Sequence, residues 1–373
     1  MKSQKVRFKM IKFWRTLFRE GKYAQIVEDA PQRTLAKLTI ADFNYLGLAA
    51  LASKSIEWFD SLRNSDSLPP KFLPYFKLYD GAVSYQNKFY NEASSLILSA
   101  KSIVTENGYI FDGDGCSWLR GVNSYVHQLD HHITPSIEAP ELDLQSLEDE
   151  ILGAPICFLA SADSGYFSKF GGGLINSFIQ NRDTEAILVI GIINPCSEAK
   201  QWVSQNSIAL AKSGVHFIYT NGPEDKTYYA CNRFLLAPVL MDIVNTGIYS
   251  LDIDAVFVAK TSVFDNTILK YDGAFQQQEH RLPWQKCQAG RIYFSNSPAG
   301  REMIHTVSNY CRVVFQNDLD QWFLDQNALE YYRRQQEVIQ SANIVNLHEL
   351  PLVRNAVFCP PGSKKKQLES SLF

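Results

Sequence analysis

The chain has 373 residues, 46% of them apolar, and a formal net charge of −3. The length suits two ordinary domains, and the weak acidity excludes a protein whose business is nucleic acid. Its seven cysteines are odd in number and never stand in CxxC spacing, which excludes a disulfide framework and a zinc site and fits a reducing, cytoplasmic compartment.

Residues 1–22 hold eight Lys or Arg and one acid, Glu20. Met10, Phe13, Trp14, Leu17 and Phe18 share one helical face, with the basic residues largely elsewhere. Such a helix either packs on its neighbours or lies peripherally on an anionic membrane surface. The start lacks the continuous apolar stretch of a secretory signal, and no run reaches the length of a membrane-spanning helix. Residues 20–105 read as helical and weakly repetitive. Gly47 and Gly81 are 34 residues apart, and Ala93 and Ala100 follow Gly81 by 12 and 19. That period with those small residues resembles tetratricopeptide repeats, although Phe59 stands where a small residue is expected. The resemblance implies an α-helical domain over residues 1–115, either a scaffold or a dock for a protein partner or acceptor.

Residues 116–152 read as a linker or covering segment, acidic and Pro-containing from Pro135 to Leu152. Asp112-Gly113-Asp114-Gly115 is a turn without the distal Glu of a calcium loop. His127, His131 and His132 lack a further ligand and read as a solvated patch.

From Pro155 the pattern alternates between continuous apolar strands and amphipathic helices. Strands are expected at Ile156–Ala160, Ile187–Ile193, Val215–Tyr219 and Ile248–Leu251. A Gly171-Gly172-Gly173 turn is expected to open the first helix. This argues for a mostly parallel sheet covered on both faces, with ligands bound beyond the carboxyl ends of its strands. Asp163, Asn221, Asp252 and Asp254 occupy those ends.

Asp252-Ile253-Asp254 carries the chemistry. Two carboxylates at a strand end can approach one hard divalent cation, Mg²⁺ or Mn²⁺, which bridges readily to diphosphate oxygens. Asp325 is placed at a helix start, where a carboxylate is oriented and able to accept a proton. Upstream stands Tyr229-Ala230-Cys231-Asn232-Arg233-Phe234-Leu235-Leu236-Ala237-Pro238. Downstream stand Gly290-Arg291-Ile292-Tyr293-Phe294-Ser295-Asn296-Ser297 and Trp322-Phe323-Leu324-Asp325-Gln326-Asn327-Ala328-Leu329. Together with Leu251-Asp252-Ile253-Asp254, these blocks resemble GT-A-fold nucleotide-diphospho-sugar glycosyltransferases over about Ala154 to Lys366.

The resemblance implies an α/β domain over residues 153–373 with a GT-A-like, mostly parallel sheet, preceded by the smaller all-α domain. It implies a metal-dependent glycosyltransferase that moves a hexosyl group from a nucleoside-diphosphate sugar to a glycan, lipid-linked or protein acceptor. Arg233 and the tail lysines Lys364 and Lys365 would address the diphosphate. Asp254 and Asp252 would hold the metal, Asp252 also reaching ribose. Asp163 would contact base or ribose, or simply cap the next helix. Asp325 would face the transferred sugar or the acceptor hydroxyl. His348 would be a third metal ligand, although His348-Glu349-Leu350-Pro351 lacks the family's full pattern. Two rivals stay open. Asp252-Ile253-Asp254-Ala255-Val256 also fits the nucleophile motif of haloacid-dehalogenase-like phosphatases. A repeat-containing scaffold with an inactive α/β domain is the other.

Overall fold

The computed structural model describes residues 14–30, 37–63, 68–106, 117–129, 135–138, 153–316, 319, 321–360, 365, 369 and 372. The turn at Asp112 to Gly115, His131, His132, Lys364, residues 1–13 of the basic segment and residues 139–152 of the acidic one lie outside the described residues. The chain divides into two compact units, residues 1–128 with 278–286 and residues 129–277 with 287–373.

The first unit is helical, with α1 (Tyr23–Asp29), α2 (Ile40–Ser53), α3 (Ile56–Arg63), α4 (Leu73–Gln86) and α5 (Tyr90–Glu106). Helix α2 starts on a capping box, in which the Thr39 side chain accepts from the Asp42 amide and the Asp42 side chain accepts from the Thr39 amide. Helices α4 and α5 meet at Gly81, where a Cβ would come within 2.9 Å of Ile97 and 3.0 Å of the Ala93 carbonyl. The small residues at 81, 93 and 100 therefore mark a close helix–helix approach, and Ala93 and Ala100 are both fully buried.

The second unit is built on a mixed, mostly parallel sheet of seven strands. Its strands are β1 (Ile156–Asp163), β2 (Ile187–Ile193), β3 (Val215–Thr220), β4 (Gly247–Leu251), β6 (Gly273–Gln277), β7 (Cys287–Phe294) and β8 (Ile344–Asn346), in the order β3-β2-β1-β4-β7-β6-β8. A separate two-stranded ribbon pairs β5 (Val256–Phe257) with β9 (Val357–Phe358). Strands β1 to β4 run parallel, and β7 runs antiparallel to both β4 and β6. The helices are α6 (Ser164–Asn181), α7 (Ser197–Ala211), α8 (Lys226–Val244), α9 (Ser262–Asp265), α10 (Pro298–Val314), α11 (Leu324–Ile339) and α12 (Pro351–Ala356).

Successive strand residues face opposite sides of a sheet. Phe158, Ala160, Leu188 and Ile190 join Leu174 and Phe178 of α6 in one core. On the other face Gly191 lies against Leu236 of α8. Both faces are thus covered, which is why β2 reads as an unbroken apolar run and β1 and β3 are mostly apolar. The expected turn at Gly171 to Gly173 is instead interior to α6. A Cβ at Gly171 would stand 2.5 Å from the Phe167 ring, so close packing of that ring, not a reversal of the chain, requires the glycine.

The strand order reverses beside β1, with β2 on one side and β4 on the other. The crevice beyond the carboxyl ends of β1 and β4 is thus a topological switch point, where open α/β sheets bind ligands.

Candidate active site

A cavity of about 460 Å³ occupies that switch point. Its floor comes from the ends of β1 (Ser161 to Asp163) and β4 (Asp252 to Asp254) and from Ala289 and Gly290 of β7. Beyond β4 the chain turns, with the Ala255 amide donating to the Asp252 carbonyl at 3.0 Å. The turn leaves both aspartates lining the cavity. The antiparallel direction of β7 brings its first half alongside the end of β4, where the Asp252 amide donates to the Gly290 carbonyl at 3.3 Å. A Cβ on Gly290 would lie 3.0 Å from Oδ2 of Asp252, so glycine leaves room for that carboxylate.

Helix α8 turns Lys226, Tyr229, Ala230 and Arg233 into the cavity. Their i, i+3, i+4, i+7 spacing is one helical face. Arg233 Nη1 pairs with Asp252, while Nη2 donates to the Ala289 carbonyl at 2.8 Å and stands 3.6 Å from Asp325 Oδ2. The guanidinium is buried and locked between two carboxylates.

Asp325 lies in the first turn of α11, its Oδ1 accepting from the Gln326 amide at 2.8 Å. Burial pushes its carboxyl up to about 6, with Arg233 pulling it down and Asp252 pushing it further up. Asp254 is also raised, first by burial and then by Asp252, against the pull of Lys365. Lys365 is ion-paired to Oδ2 of Asp254 and donates to the Tyr166 hydroxyl at 3.3 Å. Oδ1 of Asp254 is buried and accepts no hydrogen bond among the described residues.

Asp163 lines the cavity but also caps α6, accepting from the amides of Gly165 at 2.8 Å and Tyr166 at 3.0 Å. Of the residues expected from sequence, Asp163, Arg233, Asp252, Asp254, Asp325 and Lys365 are brought together here. His348 is not. It sits in a 3-10 turn after β8, its Nδ1 2.6 Å from Arg354 Nη1. Among the described residues no group of three His, Cys, Asp or Glu side chains converges as a metal site. Asn221 does not line the cavity; its carbonyl accepts from the Tyr228 hydroxyl at 3.2 Å.

Sequence reasoning missed Tyr166, Lys226, Tyr229, Trp322 and Gln326. Lys226 and Tyr229 were legible in principle, because they continue the helical face of Arg233. Tyr166 lies in the first turn after Asp163, but nothing in its local pattern separates it from a core aromatic.

No protein-family model matches the chain, and no curated protein does. Among solved structures the chain is similar to WbbM, titled a bifunctional glycosyltransferase, at 14% identity and a TM-score of 0.38, covering 53% of this chain and 39% of that one. It is similar to the glycosyltransferase GlyE of Streptococcus pneumoniae TIGR4 at 12% identity and a TM-score of 0.35, covering 53% and 46%. It is also similar to the galactosyltransferase LgtC in complex with donor and acceptor sugar analogs, at 14% identity and a TM-score of 0.38, covering 57% and 94%. The chain thus spans less than half the length of WbbM and of GlyE. Likeness at this distance leaves both fold and chemistry to rest on the chain's own strand order and side chains.

Proposed function

We propose that the chain is a metal-dependent glycosyltransferase that moves a sugar, a hexosyl group, from a nucleoside diphosphate to an acceptor hydroxyl. The observation that carries this reading is the pair Asp252 and Asp254 at the switch point, with the buried Oδ1 of Asp254 lacking a hydrogen-bond partner among the described residues. A buried carboxylate oxygen without a donor is costly, and a cation is its natural complement. Four carboxylates and three cationic side chains line the cavity, leaving one negative charge when all are ionised. A diphosphate adds more negative charge, so holding one here requires a further cation. The carboxylate oxygens of Asp252 and Asp254 suit Mg²⁺ or Mn²⁺, which would neutralise charge on the departing diphosphate.

The chain's own residues supply the rest. Arg233 fixes the orientation of Asp252 by pairing with it from a rigid helix. Lys365 reaches Asp254 on a long, partly exposed stem, and that stem can re-aim its ammonium at a diphosphate oxygen. Asp163, while capping α6, borders the nucleoside end. Asp325, with a carboxyl raised toward neutrality, is suited to take the proton of the acceptor hydroxyl. The acceptor oxygen then bonds to the anomeric carbon as the bond to the diphosphate breaks, and the electron pair leaves with the diphosphate.

The phosphatase alternative asks Asp252 to attack phosphorus, yet that carboxylate is held by Arg233. The test is a thermal-shift panel of UDP- and GDP-sugars with Mn²⁺. Stabilisation that Asp254→Ala abolishes supports transfer. Hydrolysis of p-nitrophenyl phosphate at the same site would sink it, and silence with every donor would favour the scaffold. The helical unit, by its repeat resemblance, would receive a protein partner or a large acceptor. None of the described helices is long and apolar enough to cross a membrane.

A further inference from the structure

The two-stranded ribbon of β5 and β9 has two outer edges, and their backbone groups must find hydrogen bonds elsewhere. Phe257 stands opposite Val357, and beside that pair the Val258 amide donates to the Ala356 carbonyl at 2.9 Å. Pairs alternate along an antiparallel ladder, so the backbone groups of Phe257 and Val357 point away from each other. On the β5 edge, helix α6 serves them. The Phe257 amide donates to Ser177 Oγ and Asn181 Nδ2 donates to the Phe257 carbonyl, both at 3.1 Å. On the β9 edge, Arg291 of β7 serves. Its Nη1 donates to the carbonyl of the buried Val357 at 2.8 Å and to the carbonyl of Arg354 in the last turn of α12. Its Nη2 donates to Gln276 Oε1 of β6 at 3.3 Å.

Arg291 does not line the cavity, but what it holds leads there. Lys365, which pairs with Asp254, follows Val357 by eight positions. A charged group on a short tether meets its site at a high effective concentration, and that concentration falls as the tether lengthens. Arg291 fixes where this tether starts. A guanidinium suits the task, because its planar, fixed donors hold two carbonyls at once. The tie that Cys359 adds between this segment and β7 is slight, a weak thiol donor to the Gly290 carbonyl at 3.6 Å.

We propose that Arg291 is a positioning residue for the nucleotide, acting through Lys365 by anchoring the segment that carries this ammonium. It touches no substrate itself. The inference rests on the reading of Lys365 as a diphosphate ligand. The ammonium has two alternative partners, Asp254 before the nucleotide arrives and a diphosphate oxygen afterwards. A loosened anchor weakens both contacts. A cation then meets less competition at Asp254, while the nucleotide loses a contact. Simple distortion of the turn that carries Asp252 and Asp254 would instead weaken both ligands.

The test is calorimetry on the full chain, with Mn²⁺ alone and with UDP or GDP in the presence of Mn²⁺. The proteins are the wild type, Arg291→Ala, Arg291→Lys, Lys365→Ala and the double variant Arg291→Ala with Lys365→Ala, each first checked by a melting curve. Arg291→Ala should weaken nucleotide binding a few-fold and tighten Mn²⁺ binding a few-fold, the scale of a partly exposed ion pair. Arg291→Lys keeps the charge without the fork and should show the same signs at smaller size. In the Lys365→Ala background, Arg291→Ala should change neither affinity, because residues that act through one contact are not additive. If Arg291→Ala melts too low to titrate, Arg291→Lys takes its place in every comparison. Four results overturn the assignment. Both ligands could weaken together, Arg291→Ala could cost as much without Lys365 as with it, Arg291→Lys could match the wild type, or Lys365→Ala could leave nucleotide affinity unchanged. Any of these, with UDP or GDP still bound by the wild type, removes the role of Arg291 alone. Absence of any UDP or GDP binding to the wild type removes the glycosyl-transfer reading and the assignment with it.

Discussion

Two charge clusters in the cavity manage charge in different ways. In one, Asp252 and Asp325 flank Arg233, whose side chain is 5% exposed and anchored on α8. In the other, Asp254 is met by Lys365, whose side chain is 32% exposed. A guanidinium is a rigid fork that fixes geometry, whereas an ammonium on a flexible stem is a counter-ion that can be exchanged. Asp252 is therefore a positioned carboxylate. Asp254 is the carboxylate whose partner a ligand or cation can replace.

The sharpest way to break this comparison is to remove the fixed cation. Arg233→Ala leaves the buried Asp325 without its cation and the part-exposed Asp252 without its partner, and removing one partner of a buried ion pair costs about 3–5 kcal/mol. Urea denaturation should show a loss of that size, partly recovered in Arg233→Lys. A loss no larger than that of Lys365→Ala would mean the two clusters are alike.

Asp254→Asn tests the other cluster. Donor-dependent turnover should fall about 100- to 1000-fold, the scale of losing one preorganised charge contact in a reacting centre. Stability should hold or improve, because burial disfavours the charged form of Asp254. Single-turnover transfer rates and a melting curve check the two halves.

Asp325 gives a pH signature. Its carboxyl is raised to about 6 in the folded chain, against about 3.9 when unfolded. The folded state keeps the proton longer than the unfolded state does. Its contribution to stability is full below about pH 4 and is lost as pH rises through 6. In Asp325→Asn that decline between pH 4 and 6 should disappear from the stability profile. The rise of transfer rate through about pH 6 should disappear with it. A wild-type rate flat across that range would remove Asp325 as the base.

The smallest effect is expected for Lys365→Ala. With Lys365 gone, Mn²⁺ should bind a few-fold tighter without nucleotide, because no ammonium competes for Asp254. UDP or GDP should bind a few-fold weaker, and the partial exposure of this ion pair keeps both changes modest. Calorimetry of each ligand reads the opposite signs, and two changes of the same sign would contradict the exchange.

Much of the second unit was legible because its central strands are buried on both faces. Ile187 to Ile193 is an unbroken apolar run, and burial of all seven residues explains it. Sheet order was not legible, since nothing local in Cys287 to Phe294 records that β7 runs antiparallel beside β4. The three glycines at 171 to 173 look like a turn by composition, and only the ring of Phe167 shows why a helix needs one there. In the site, Asp252 and Asp254 were legible because two carboxylates at a strand end suit one cation, Asp325 because it opens a helix, and Arg233 through the family resemblance alone. Tyr166 was not, because its role depends on the approach of Lys365 from nearly 200 residues away in sequence. His348 had the right element for a metal ligand but lies on a turn where Arg354 is its partner.

The measurement that bears most directly on the central claim is calorimetric binding of UDP and GDP to the full chain, with and without Mn²⁺, for the wild type and Asp254→Asn. The account predicts that at least one nucleotide binds the wild type only when Mn²⁺ is present, and that Asp254→Asn binds neither. Equal nucleotide binding without a divalent cation, or undiminished binding in Asp254→Asn, would contradict it.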